Sequence, residues 1–213
     1  MPGRHFELLH DDGRPICIVG NTYCNHLIFD TLNRQRQTLI MTLEECQQQP
    51  TSFFQDHQFF STSSTMPFKI QVIDWLQSQK ASFVTVIDST SVIDTDAQIG
   101  RNTMILSHNA ILKSSVIGDH CHMVNHITTA HDSIVGDFGY ICACSYLIYT
   151  TLGRGVVSGL RSSFVPKSPL RLCVPDWTNF MISSIVHREI STTGTYFGNR
   201  KINDQTSLTH SIL

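Results

Sequence analysis

At 213 residues the chain suits one domain or two small ones, and 15 Lys and Arg against 17 Asp and Glu leave a net charge of −2, which offers no overall field to nucleic acid. No apolar run is long enough to cross a bilayer, and the opening MPGRHFELLHDDGR lacks the apolar core of a secretory signal, so a cytoplasmic protein without a membrane span is expected. Seven cysteines are an odd number without C-x-x-C spacing and read as reduced packing residues.

Residues 15–87 read as a small alternating α/β unit. PICIV (15–19) is a strand ending at Gly20, the following NTYCNHLIFDTLNRQ is long enough for a helix, and TLIM (38–41) is a second strand. DHQFFST (56–62) is a third strand, and Pro67 suits the first turn of a helix with Ile70, Ile73 and Leu76 on one face. Strands alternating with helices imply a parallel sheet. Its first strand–turn–helix is a place for a phosphate, although Asn21, Thr22, Tyr23, Cys24 and Asn25 replace the further glycines of a dinucleotide fingerprint.

A six-residue lattice follows. Stepping from Ile87 gives Ile93, Ile99, Ile105, Ile111, Ile117, Met123, Thr129, Val135, Ile141 and Leu147, aliphatic at ten of eleven positions. Two residues before each of them the side chain is usually small, as in Thr85, Ser91, Ala97, Thr103, Ser115, Cys121, Ser133, Gly139 and Ser145. One large and one small inward residue per hexad is the signature of a parallel β-helix. Gly100, Gly118 and Gly136 lie 18 residues apart, which makes each coil three hexads, one short strand on each face of a triangular prism. An alternating sandwich would show a period of two, with turns at irregular intervals. The lattice predicts that Ile99, Ile117 and Val135 stack inside one face, coil upon coil.

Beyond Leu147 the phase slips. Leu152, followed by Gly153, comes five residues later instead of six; Ser158 with Gly159 and then Phe164 resume the step. Pro166, Pro169 and Pro175 are expected to end the repeat and release a tail that returns as a strand at 179–186, with polar residues 203–213 frayed. Charge is uneven as well. Segment 82–149 holds six Asp against Arg101 and Lys113, whereas 150–201 holds seven Lys and Arg against Asp176 and Glu189, so an anionic ligand would favour the C-terminal part, if that surface is more than a solvated basic face.

Two constellations carry possible chemistry. His131 sits two positions after Thr129, at an outward corner, and Asp132 follows it; an imidazole takes a proton from a hydroxyl or amine, and a carboxylate orients it. The same pair also fits plain solvated surface. His108, His126 and Cys144 are 18 apart and stack in one outward column, which suits either a zinc site of the carbonic-anhydrase-like hydratase kind or a polar stack at a subunit interface.

The stretch NHITTAHDSIVGDFGYI (125–141), the spacing of Gly153 and Gly159, and the ending TGTYFGNRKI resemble the bacterial sugar acetyltransferases of the left-handed β-helix class, the sialic-acid O-acetyltransferase and nucleotide-aminosugar N-acetyltransferase type. The resemblance implies a β-solenoid with a small N-terminal α/β acceptor domain (1–84) and a left-handed parallel β-helix with a C-terminal tail (85–213). It implies an obligate homotrimer, acetyl-CoA between adjacent prisms, no metal, and acetyl transfer to a hydroxyl or amine of a sugar or nucleotide sugar, a surface-polysaccharide precursor. His131 is then the general base and Asp132 its partner. Acetyl-CoA contacts fall at Gly153, Gly159, Ser183, Arg200 and Lys201, and acceptor contacts at Gly20, Asn21 and His126. The alternatives are a γ-class carbonic-anhydrase-like metal hydratase on the same fold and a degenerate, non-catalytic scaffold.

Overall fold

A computed structural model describes residues 4–20, 22–63, 65–167 and 169–206. The chain opens with β1 (Phe6–Leu9), then β2 (Ile16–Val19), α1 (Tyr23–Leu32), β3 (Thr38–Met41), α2 (Leu43–Gln47), α3 (Thr51–Asp56), β4 (Gln58–Phe60), α4 (Met66–Ser78) and β5 (Ser82–Phe83). Four of these strands form a parallel sheet in the order β3-β2-β4-β5. Thr22 caps α1 by accepting from the Asn25 N–H, Thr42 and Glu45 close a capping box on α2, and Pro67 opens α4, each placing a preferred residue where helix N–H groups lack partners.

From Thr85 the chain winds into a three-faced parallel β-helix of mostly two-residue strands. The first face runs through Thr85–Asp88, Met104–Ile105, His122–Met123, Tyr140–Ile141, Val157–Ser158 and Asn179–Phe180, the second from Val92–Ile93 to Ile185–Val186, and the third from Gln98–Ile99 to Leu172–Val174. Ile117 pairs with Ile99 below and Val135 above on the third face, all three buried as the lattice predicts. Asn109 occupies an inward position meant for a small side chain, and its amide bonds the carbonyls of Leu106 and Val124 and the N–H of Ile127, so the buried polar group is satisfied.

Corners repeat one device. The second turn residue of each, from Asn102, His108 and Ser114 through Cys144, has φ between +51° and +60°, a region costly for side chains other than glycine. At most corners its N–H bonds the preceding coil's carbonyl, as for His120 to Arg101 at 2.7 Å and Phe138 to Asp119 at 2.8 Å, which holds it there.

The prolines do not end the prism. Leu172–Val174 pairs with Thr150–Leu152, Asn179 with Val157, and Ile185–Val186 with Ser163–Phe164, and Val174, Phe180, Val186, Ile190 and Tyr196 join the same core. After Pro166 and Pro169 the inward positions resume at Leu172 and Val174. The segment expected as a single tail strand is therefore a further coil, and the expected frayed end from 207 on lies outside the described residues. β1 was also unforeseen; it pairs antiparallel with Thr85–Asp88 and caps the first face.

The α/β unit docks on the outer side of that first face. Phe6, Ile16, Ile18, Ile28, Leu32 and Phe60 pack with Val86, Met104 and Leu106. Asn102 accepts from the Ser61 N–H at 2.7 Å and donates to the Ser61 carbonyl at 3.0 Å, a two-way tie between the units.

Candidate active site

His131 and Asp132 form the turn between the second and third faces. Asp132 takes the positive-φ position at +57°, and its Oδ2 lies 2.8 Å from His131 Nδ1 with both side chains about half exposed, at 57% and 47%. With the proton on Nδ1 donated to that carboxylate, Nε2 keeps its lone pair and faces outward. The flanking Ala130 and Ser133 are buried, whereas neither His131 nor Asp132 belongs to the hydrophobic core.

The opposite edge of the second face carries a different surface. At the corner between the first and second faces, Tyr140, Cys142, Gly159, Leu160, Phe180 and Phe197 line an apolar groove of about 610 Å³. Burial pushes the Cys142 thiol up to about 11, and burial, then the neighbouring Cys142 and Cys24 thiols, raise the Tyr140 phenol. Both are neutral at physiological pH, as an apolar lining requires. Cys24 belongs to the first turn of α1, so the start of that helix lies near Tyr140. Sequence reasoning missed this lining; its signal was the apolar Tyr140 and Val157 at outward positions of successive coils on one face.

The expected site residues divide among three places. Gly159 and Ser183 lie together at the groove corner, where the Ser183 N–H bonds the Leu160 carbonyl at 2.7 Å. Arg200 lies opposite the groove residue Phe197 in the antiparallel pair Thr195–Phe197 with Arg200–Asn203, while Lys201 is paired with Asp204 at 2.5 Å. Gly153 does not join them. It stands at the corner between the third and first faces, where a Cβ would fall 2.4 Å from Asp176 Oδ1, so the glycine there allows close coil-to-coil approach. Gly20, at φ +134°, bonds the Met41 carbonyl through its N–H at 2.8 Å and leaves no room for a Cβ beside the Asn25 amide. Asn21 lies outside the described residues.

His126 is exposed at the groove corner and stacks on His108, ring centroids 4.9 Å apart and planes 11° from parallel. Parallel rings aim their nitrogens side by side and not at one point, the reverse of what a tetrahedral ion needs. Among the described residues no group of three or more His, Cys, Asp or Glu is arranged to hold a metal.

No family model and no curated protein matches the chain by sequence. Solved structures do match in fold. The acetyltransferase domain of PglB from Neisseria gonorrhoeae FA1090, in complex with acetyl coenzyme A, is 12% identical with a TM-score of 0.77 over 90% of this chain and 100% of its own. PerB from Caulobacter crescentus, in complex with CoA and GDP-perosamine, is 13% identical with a TM-score of 0.73 over 89% and 95%. WeeI from Acinetobacter baumannii AYE is 12% identical with a TM-score of 0.71 over 87% and 97%. The fold is thus the left-handed parallel β-helix with a small N-terminal α/β unit.

Proposed function

We propose that the protein is an acetyl-CoA-dependent acetyltransferase that modifies a hydroxyl or amine of a sugar, with a nucleotide sugar as the acceptor class. The carrying observation is His131, exposed at a corner with Nδ1 held by Asp132 at 2.8 Å. On this reading Nε2 accepts the acceptor's proton as its oxygen or nitrogen attacks the thioester carbonyl. Backbone N–H groups stabilise the tetrahedral oxyanion, and its collapse expels the CoA sulfur, which takes the proton back from the imidazolium. The products are the acetylated sugar and the free thiol.

The apolar groove suits a pantetheine arm, with Gly159, Ser183, Arg200 and Lys201 around the donor. Gly20, Asn21 and His126 serve the acceptor, the α/β unit up to residue 84 being the acceptor domain and 85–213 the transferase domain. PglB and PerB, solved with acetyl-CoA or with CoA and GDP-perosamine, support donor and acceptor classes alike. The groove and His131 flank opposite edges of the second face, whose outer side exposes Val92, Tyr146 and Ile185. A homotrimer that buries this face would bring the His131 corner of one copy to the groove of the next. A role in cytoplasmic synthesis of polysaccharide precursors fits these substrates, and no helix among the described residues is long and apolar enough to cross a membrane.

Thiol release from acetyl-CoA, measured with a panel of sugars and nucleotide sugars, tests this reading. His131→Ala should lower kcat on the order of 10²–10⁴-fold with donor KM nearly unchanged. Asp132→Asn should do less harm. Wild-type turnover in His131→Ala with the true acceptor would remove His131 from the mechanism.

A further inference from the structure

The turn stacked above His131, at Tyr149, is tied to the coil below less firmly by its backbone than the other corners are. At nine other corners, the His131–Asp132 corner with its 3.0 Å bond from the Asp132 N–H to the Lys113 carbonyl among them, the N–H of the positive-φ residue reaches the carbonyl one coil below at 2.7–3.1 Å. Above His131 the corresponding bond, from the Tyr149 N–H to the His131 carbonyl, is 3.4 Å, near the limit for a hydrogen bond. The cause is the short hexad: between Leu147 and Leu152 the chain turns in five residues, and Tyr149 sits at φ +46°.

Arg171 makes up the difference. It immediately precedes Leu172–Val174, whose pairing with Thr150–Leu152 fixes its place, and the Leu172 N–H bonds the Tyr149 carbonyl at 3.2 Å. Its Nη1 donates to the Asp132 carbonyl at 2.6 Å and to Thr151 Oγ1 at 3.3 Å. Its guanidinium lies over the Tyr149 ring, 4.7 Å from the centroid, a platform that fixes the plane of the fork. A charged donor at 2.6 Å is a strong bond, and it acts on the residue whose carboxylate orients the imidazole.

We infer that Arg171 is a positioning residue: through the Asp132 carbonyl it ties the His131–Asp132 corner to the coil above, where the backbone link is long, so that the Asp132 carboxylate holds His131 in one tautomer and direction. This rests on the acetyl-transfer reading only for its catalytic consequence. The orientation itself is a property of the free protein and is read without turnover. Misplacing a catalytic group by about 1 Å costs roughly a hundredfold in rate, so Arg171→Met, which keeps the apolar stem on Tyr149, should lower kcat roughly ten- to hundredfold while donor KM stays constant. Arg171→Lys, which keeps the charge on a single donor nitrogen but loses the planar fork, should recover part of the loss.

The experiment is nitrogen-15 NMR of the histidine rings in the full chain, with His131 assigned through a His131→Gln sample, beside steady-state kinetics and melting curves of each variant. The expected wild-type signal is a single His131 tautomer with the proton on Nδ1. Arg171→Met should give a mixture of tautomers in a protein that is still folded at the assay temperature, and Arg171→Lys an intermediate. If Arg171→Met does not fold, Tyr149→Leu, which removes the platform, should mix the tautomers in its place. Unchanged His131 ring signals in the folded variant would overturn the inference. Absence of thiol release in the wild type, with the tautomers still responding to Arg171, would overturn the acetyl-transfer reading and leave Arg171's role standing.

Discussion

Lys69 on α4 is fully buried, and its Nζ donates to the His120 carbonyl at 2.5 Å; among the described residues it makes no ion pair. Burial lowers its pKa to about 8, and the nearby ammonium and the lack of water keep two imidazoles neutral. His120 is pushed down to about 3, by burial first and then by the Lys69 charge, and His122 is held well below its ordinary range for the same reasons. In the unfolded chain both take a proton near pH 6.5, so below that pH the unfolded state binds more protons than the native one. Stability therefore falls as pH drops from 6.5 toward 3, by up to about 2 kcal/mol per histidine at pH 5. Urea unfolding at pH 7 and pH 5 should show this loss, and His122→Phe should roughly halve it. His122 has no hydrogen-bond partner on either ring nitrogen and meets Tyr140 edge-on at 4.5 Å, so an aromatic isostere should also stabilise at pH 7 by about 1–3 kcal/mol, the cost of an unsatisfied polar group. A pH 5 loss equal in the variant and the wild type would refute the assignment. None of this was legible in the sequence, because His122 occupies an outward lattice position and nothing local says that the first face is covered.

The hexads were legible because each inward position repeats one local demand, and Ile117 meets it without reference to anything distant. The final coil was not, since Pro166, Pro169 and the five-residue step break the local pattern while the pairing of Leu172–Val174 with Thr150–Leu152 is decided across that break. The glycines divide along the same line. Their 18-residue spacing was readable, but its reason is a contact one coil away: a Cβ on Gly118 would lie 2.5 Å from Asp137 Oδ1 and 2.7 Å from its backbone nitrogen, in a corner where Asp137 accepts from the Asp119 N–H at 2.9 Å. Gly153 repeats this against Asp176. Gly153→Ala should therefore cost about 1–3 kcal/mol, as overpacking does, and leave the donor KM of the folded fraction unchanged. Gly159→Ala, whose Cβ would meet the Met181 backbone at 2.3 Å on the groove wall, should both destabilise and raise donor KM. Denaturation beside donor titration separates the two; a raised KM in Gly153→Ala would place it at the donor site.

At the scale of the molecule the likeness to solved acetyltransferases sets the fold, and under the proposed function the two edges of the second face set the assembly. One prism puts His131 at one corner and the groove at the other, so a water-excluding cleft needs a neighbour. A head-to-tail contact between these unlike edges closes into a ring after a fixed rotation, and in the proposed trimer three copies would meet with Val92, Tyr146 and Ile185, exposed at 61%, 38% and 54% in the single chain, turned toward the axis. Light scattering at micromolar concentration should give three chains, and Ile185→Arg should give a folded monomer with its lattice core intact and transfer lost. A fully active monomer would sink the shared cleft. Complementation decides the point more directly. His131→Ala chains keep the groove, and Leu160→Trp chains, their groove filled at the rim, keep the base; each alone should be inactive. Unfolded together and refolded at equal concentration, they should recover transfer in about a quarter of the clefts, those pairing an intact groove with an intact histidine across a heterologous contact. Recovery fails if each chain builds its cleft from its own corners. Co-refolded trimers no more active than either parent would place base and groove in one subunit.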